Sequence, residues 1–216
     1  MLRSHTRLAA VPFVPEVLLH QADDAITLWE RTEEETGTRQ PPPFWAFAWA
    51  GGQALARYVL DHPGLVAGRT VFDLASGSGL VAIAAAKAGA AAVTANEIDP
   101  LAVAAVATNA AANGVAVATS LGDVLAGDAA GADVVLAGDV FYSRPMTERV
   151  LPFLERAAAR GATVLVGDPG RTYLPRDRFE AVASYEVPVP RALEDAEVKT
   201  TTVYRPGAGR RSGSPG

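Results

Sequence analysis

Through the middle of the chain, short apolar runs alternate with alanine-rich stretches of helical period, and turn residues mark the junctions. Val71-Phe72 and residues 91–95, 115–119, 133–137 and 162–166 are too short for helices and stop at or just before Gly, Asp or Asn, so each predicts a strand. Residues 80–88 stop at Gly89, residues 100–113 start behind Asp99-Pro100 and stop at Asn113-Gly114, and residues 145–160 stop at Gly161, which predicts three helices. Pro152 should kink or split the last of these. A further helix is expected over 54–60, before a turn at 61–69 that leads to Val71. Strand alternating with helix implies crossover connections, and hence a parallel sheet with helices on both faces.

The two ends read differently. Residues 1–15 show no period and predict an extended arm; residues 16–30 predict a small hairpin made of 17–20 and 25–29. Residues 33–43 form a polar and then proline-stiffened connector. Late in the chain, 179–183 has helical spacing, whereas 185–189 and 198–204 predict strands that close the sheet as an antiparallel hairpin. The expectation is an α/β, Rossmann-like, doubly wound, mainly parallel seven-stranded sheet. It divides the chain into an arm with a hairpin at 1–41, one domain at 42–205 and a disordered Gly/Ser/Pro/Arg tail at 206–216.

Composition narrows the function classes. A length of 216 residues with 49% hydrophobic content suits one sizeable core. The net charge of -5 disfavours a nucleic-acid surface. With no cysteine there is neither a disulfide framework nor a cysteine zinc site, and a cytoplasmic location is expected. Lys87, Glu97 and Asp99 interrupt the longest apolar stretches, so no membrane span is expected, and residues 11–14 are too short and proline-broken for a signal segment. His5, His20 and His62 are dispersed, which predicts no metal site.

The candidate chemistry centres on residues 71–99. Gly77 and Gly79 lie between a strand and a helix, and Glu97 follows Gly77 by 20 positions, a nucleotide-binding spacing. Gly77-Ser78-Gly79-Leu80-Val81-Ala82 satisfies G-x-G-x-x-A, which leaves a nicotinamide dinucleotide open. Against that, Asp73, Glu97, Asp123 and Asp139 all fall at predicted strand ends and would converge on one crevice, although each alone serves equally well as a helix cap or solvated loop residue. S-adenosylmethionine, with a sulfonium, an ammonium, ribose hydroxyls and an adenine amine, matches such an acidic lining. Phe44, Trp45, Phe47 and Trp49 read either as core plugs or, for Trp49 with Gly51-Gly52, as a wall of the ligand pocket. Asp168 and Arg171 either face a substrate or shape a turn, and Pro169-Gly170 favours the turn.

The stretches 42–63, 71–90, 95–115, 138–154 and 164–175 resemble seven-β-strand S-adenosylmethionine-dependent methyltransferases, and more closely the electron transfer flavoprotein β-subunit lysine methyltransferases and their bacterial relatives. One departure is Ala75, where the wider superfamily often has glycine. The resemblance implies cofactor contacts from Asp73, Ala75, Gly77 and Gly79, ribose recognition by Glu97 and adenine-side recognition by Asp123. Trp49 and Gly51 would lie over the methionine end. It also implies that Asp139-Val140-Phe141-Tyr142 is the D-x-x-Y element that holds an acceptor amine.

The expected activity is protein-lysine N-methylation, with Asp139 orienting the amine and Tyr142 or Phe141 packing on the lysine stem. The expected partner is electron transfer flavoprotein β-subunit or another protein, met by a monomer with no nucleic acid and no membrane. A small-molecule amine or pyridine N-methyltransferase, an NAD-dependent oxidoreductase and a non-catalytic binding module are the other readings.

Overall fold

The computed structural model describes residues 5–189 and 197–207. Its main sheet has seven strands: β3 (Thr70–Leu74), β4 (Ala92–Glu97), β5 (Ala118–Leu121), β6 (Val134–Gly138), β7 (Thr163–Asp168), β8 (Phe179–Pro188) and β9 (Val198–Pro206). They lie in the order β5-β4-β3-β6-β7-β9-β8. The first five in chain order pair in parallel, whereas β9 runs antiparallel to β7 and β8 antiparallel to β9. The chain reverses direction of winding between β3 and β6, so the crevice of a doubly wound sheet opens at the carboxyl ends of those strands.

Alternation along the strands sorts side chains into two cores. Val71, Val134, Leu136 and Leu165 face one side, under α2 (Ala50–Asp61), α3 (Leu80–Lys87) and α4 (Pro100–Ala112). Phe72, Leu74, Val135, Ala137, Val164 and Val166 face the other, under α5 (Arg144–Ala159). Because both faces are covered, the central strands are mostly apolar up to their carboxyl ends and read as short runs.

Local signals place the helix ends. Asp99 caps α4 by accepting from the Leu101 N–H at 2.8 Å, and Ser143 caps α5 by accepting from the Met146 N–H at 3.3 Å. The expected break at Pro152 does not occur: α5 runs through it as one helix of 16 residues, its buried Val150, Phe153, Leu154 and Ala157 holding it on the sheet.

Three expectations need correction. The N-terminal hairpin is formed by β1 (Arg7–Val11) and β2 (Val14–Gln21), and residues 25–29 belong to α1 (Ala25–Thr36). Val14, Val17 and Leu19 are the buried positions of β2, and Asp24 caps α1 by accepting from the Thr27 N–H at 2.7 Å. Residues 179–183 are strand, since β8 pairs with β9 over its length and Phe179 packs on Phe141 and Tyr204; tertiary pairing overrides local spacing there. The edge strand β5 is displaced to Ala118–Leu121, leaving Val115 and Val117 to pack on the first core. The expected tail lies almost wholly outside the described residues. Among the described residues, no helix is long and apolar enough to cross a membrane.

The hairpin is tied to the sheet domain by two asparagines of the α4 turn region. Asn113 both accepts from the Leu18 N–H at 3.0 Å and donates to the Leu18 carbonyl at 2.6 Å, as a neighbouring strand would. Asn109, fully buried, accepts from the His20 N–H at 2.8 Å and donates to the Ser78 carbonyl at 2.8 Å, joining β2 to the glycine loop.

At the opposite side of the crevice, α2 approaches the sheet backbone to backbone. A Cβ on Gly167 would lie 2.0 Å from the Gly51 carbonyl oxygen, and one on Gly138 would lie 2.9 Å from the Gly52 Cα. Gly167→Ala must therefore push α2 off β7 and is expected to lower the unfolding free energy in urea by about 3 kcal/mol. Gly64→Ala, where a Cβ meets nothing within 4 Å, should change it by less than about 0.5 kcal/mol. Equal effects would show that the contact carries no such constraint.

Candidate functional site

The loop from β3 to α3 is held in a left-handed conformation by its residue types and clamped from below and from both flanks. Ala75, Gly77 and Gly79 have φ of 51°, 56° and 84°. Glycine takes such values freely, whereas Ala75 pays roughly 1 kcal/mol, which gives a physical reason for glycine to be frequent at that point in the superfamily. From below, Asp73 Oδ2 accepts from the Ser76 hydroxyl at 2.5 Å and from the Ala82 N–H at 3.0 Å. From β4, the Asn96 carbonyl accepts from the Ser76 N–H at 3.1 Å and Glu97 Oε1 accepts from the Gly77 N–H at 2.6 Å. From α4, Asn109 holds the Ser78 carbonyl. A Cβ built on Gly77 meets nothing within 4 Å, so the outer side of the loop faces open space.

The carboxylates at the strand ends occupy distinct environments. Asp73 is 1% exposed, and burial pushes its carboxyl up to about 7, against the opposing pull of the Ser76 and Ala82 bonds and with the charge of Glu97 adding to the rise. Asp73 thus lies beneath the loop. Glu97 ends β4 half-buried; its Oε2 accepts from the Ile98 N–H at 3.0 Å, and burial raises its pKa despite its two backbone donors. Asp123 is exposed and paired with Arg149 of α5, which holds its carboxyl below the usual range together with the Leu125 N–H. Asn96 positions that edge by donating to the carbonyls of Ser120 and Gly122. Ile98, directly after Glu97, is 72% exposed, an apolar surface beside the carboxylate that sequence reasoning passed over.

Asp139 stands across the crevice, immediately after β6, with φ of 56°. Its Oδ2 accepts from the Gly52 N–H at 2.8 Å, near the start of α2, and its Oδ1 accepts from Arg171 Nη2 at 2.7 Å. Its own N–H donates to the Gly167 carbonyl at 2.9 Å. The Trp49 ring lies 5.8 Å from the Arg171 guanidinium carbon, and the Trp49 Nε1–H donates to the Phe44 carbonyl at 2.9 Å. Gly51 is not an open wall: a Cβ there would lie 2.5 Å from Asp139 Oδ2 and 2.2 Å from the Gly167 carbonyl oxygen. Tyr142 is 55% exposed at this end, its phenol pushed up by partial burial and by the charge of Glu97.

Asp168 and Arg171 do more than the turn that Pro169-Gly170 suggested. Asp168 is fully buried; its Oδ1 accepts from the N–H groups of Gly170 and Arg171 at 2.7 Å each, while its Oδ2 is buried without a hydrogen-bond partner. Burial and the neighbouring Asp139 push this carboxyl up to about 6. The turn is present, and it also aims Arg171 at Asp139. Only a partner 32 positions away in the chain separates the two readings, which is why spacing alone left them open.

Comparison with known proteins assigns the arrangement to a family. The family model described as Ribosomal protein L11 methyltransferase (PrmA) matches residues 53–164, about half of the chain. The chain is 36% identical over 197 residues to the electron transfer flavoprotein beta subunit lysine methyltransferase of Danio rerio, covering 88% of this chain and 76% of that protein. It is 36% identical over 168 residues to the Mus musculus protein of the same name, covering 75% of this chain and 66% of that protein. In fold it is similar to an RNA methyltransferase from Salinibacter ruber solved with S-adenosyl-L-homocysteine, at a TM-score of 0.51 and 21% identity, covering 74% of this chain and 94% of that one. The chain therefore belongs to the PrmA-type family of S-adenosylmethionine-dependent methyltransferases.

Proposed function

We propose that this chain is a protein-lysine N-methyltransferase whose acceptor is the β-subunit of electron transfer flavoprotein. The observation that carries the reading is the 36% identity to a lysine methyltransferase named for that acceptor, extending over 88% of the chain. The open acceptor end supports it: Tyr142 and Phe44 are each 55% exposed, a mouth that suits a side chain carried by a macromolecule better than an enclosed small amine.

The donor set fits the cofactor. Glu97 would accept from ribose hydroxyls with lone pairs that its two backbone donors leave over, Ile98 would offer an apolar flank, and Asp123 would mark the adenine side. The open outer side of the Ala75–Gly79 loop would take the amino-acid end, with Trp49 across from it. Asp73 acts through the loop that it holds. When bound, S-adenosylmethionine supplies a methyl group on a sulfonium: the acceptor lone pair forms the N–C bond as the C–S bond breaks and leaves its electron pair on sulfur.

The chain's own residues then have a positioning task. A lysine amine must first lose a proton, which costs roughly 4–5 kcal/mol at pH 7 for an unperturbed side chain. Asp139 orients the amine, Tyr142 lies along the stem, and the walls around Asp139 limit hydration of the ammonium form. The proton leaves to water before attack.

Methyl labelling and two substitutions test this reading. With recombinant flavoprotein subunit and methyl-labelled cofactor, mass spectrometry should find methyllysine. Asp139→Asn, which tolerates a positive φ and keeps an acceptor for the Gly52 N–H, should lower kcat at least about 100-fold while calorimetry shows cofactor affinity within a few-fold. Glu97→Ala should instead weaken cofactor affinity by about 10- to 100-fold. Label appearing solely in a low-mass product would overturn the lysine reading, and near-normal turnover of Asp139→Asn would remove that residue from the chemistry.

A second outcome follows from Asp73. Its ordinary value of 3.8 is raised to about 7 by burial, so between about pH 4 and 7 the folded chain keeps a proton that the unfolded chain has released. Stability therefore falls as pH rises through that window and levels off above it. Asp168, raised to about 6, adds to the same fall over the lower part of the window. Asp73→Asn keeps an acceptor for Ser76 and Ala82 and should remove its share. Between pH 5 and 8 the urea-unfolding free energy of the wild type should drop by about 2 kcal/mol more than that of the variant. Parallel curves would place the slope elsewhere.

A further inference from the structure

The helix ahead of the aromatic segment carries side chains that its own packing does not use. α1 is held through Leu28 and Thr32, and Leu28 shares a core cluster with Trp45, Phe47 and, from the start of α4, Ala102 and Ala105. Trp49 and Leu101 border the same cluster, so α1 sits on the rim between the acid that ends β4 and the acceptor end. An apolar ledge runs from it to the mouth. Ile26 is 65% exposed and Trp29, one turn on, is 37% exposed, its Nε1–H donating to the Gln40 carbonyl at 2.8 Å. From Gln40 the prolines lead to Phe44, whose ring meets that of Trp49 edge-on with centroids 5.8 Å apart.

The charge around this ledge is one-sided. Residues 23–36 hold Asp23, Asp24, Glu30, Glu33, Glu34 and Glu35 against Arg31. Four of these acids have structural partners. Asp23 pairs with Arg7 at 3.6 Å, Asp24 caps α1, Glu33 accepts from the Gln40 N–H at 3.0 Å, and Glu35 meets His5 Nε2 at 2.6 Å. Arg31 is also turned to His5, its Nη1 lying 3.4 Å from Nδ1. Glu30 and Glu34 have no hydrogen-bond or ion-pair partner among the described residues. They follow Ile26 at four-residue spacing, so the three share the face opposite Leu28 and Thr32. Two glutamates in that relation repel each other, and Glu34 lies in the last turn, where the helix dipole disfavours negative charge. Helix stability therefore does not account for them.

We propose that Ile26, Trp29, Glu30 and Glu34, continuous with Phe44, are the docking surface for the acceptor protein, and that it takes a segment beside the target lysine in which basic residues flank an apolar side chain. This rests on the lysine reading above and adds to it the chemistry of the sequence around that lysine. Charge decides the occupant. The ledge ends at a mouth built for a cationic side chain, and two glutamates beside exposed apolar surface complement a basic segment while repelling an acidic one or a phosphate backbone. A second copy of this chain is disfavoured, since it would bring a net charge of -5 to the same surface. The apolar contact supplies residence time, and the glutamates speed encounter.

The test is steady-state methylation of recombinant electron transfer flavoprotein β-subunit, read as KM for the protein acceptor against kcat. Ile26→Ser and the double reversal Glu30→Lys with Glu34→Lys should each raise KM about tenfold, with kcat and, by calorimetry, S-adenosylmethionine affinity within about twofold of the wild type. Unchanged cofactor binding also shows that each variant is folded. Added salt should raise the wild-type KM, and that rise should be lost in the double reversal. Glu186→Lys, a reversal on the outer edge strand β8, should leave KM within about twofold. If both ledge variants keep the wild-type KM, if Glu186→Lys raises it as far as they do, if kcat falls while KM stays, or if sedimentation shows a dimer of this chain that Ile26→Ser dissolves, the inference is overturned and the lysine reading stands. A wild-type enzyme that methylates no lysine of the β-subunit overturns both.

Discussion

The close approach of α2 to the carboxyl ends of β6 and β7 is the constraint on which the acceptor end depends. Gly51, Gly138 and Gly167 have no room for a Cβ, because the backbone of Gly51 and Gly52 lies directly against that of β6 and β7. That contact brings the Gly52 N–H, near the positive end of a helix, to Asp139 Oδ2. It also places Trp49, the residue before α2, where the Arg171 guanidinium can lie over its ring. A methyl group added at this junction would displace the carboxylate, the cation and the aromatic ring together. These glycines are therefore packing residues with a functional consequence.

Much of the fold was legible because the central strands are buried on both faces. β4, β6, β7 and α4 came close to their expected limits, and Asp99-Pro100 with Asn113-Gly114 marked both ends of a helix through local hydrogen bonding. The misreadings fall partly where stability comes from a partner distant in sequence and partly at local features of the N-terminus, the β1-β2 hairpin and the Asp24 cap of α1. Residues 179–183 have helical spacing but are claimed by β9, and β2 is held at its outer edge by Asn109 and Asn113, some ninety positions away. Pro152 shows the converse: a local breaker is overruled because the helix around it has a buried face on the sheet.

The site divides along the same line. Asp73, Gly77, Gly79 and Glu97 could be read together because one βαβ unit carries them all, and the structure joins them through the Gly77 N–H bond to Glu97. At the acceptor end, Asp139 was visible from its D-x-x-Y context, but its partners were not. Gly52 lies 87 positions before it and Arg171 lies 32 after it. Neither separation belongs to any local pattern. Gly51 was noticed as a pocket wall, whereas its role is to let two backbones touch.

The two ends of the crevice also solve opposite electrostatic problems. Around the glycine loop, burial makes Asp73 and Glu97 reluctant to ionise, so a cationic ligand arriving there would restore to them the charged form that burial disfavours. At Asp139, by contrast, an arginine donates to the carboxylate, and both side chains are largely withdrawn from solvent. Among the described residues, the carboxylates at the β3 and β4 ends accept hydrogen bonds from a hydroxyl and from backbone N–H groups, whereas the carboxylate after β6 accepts from an arginine.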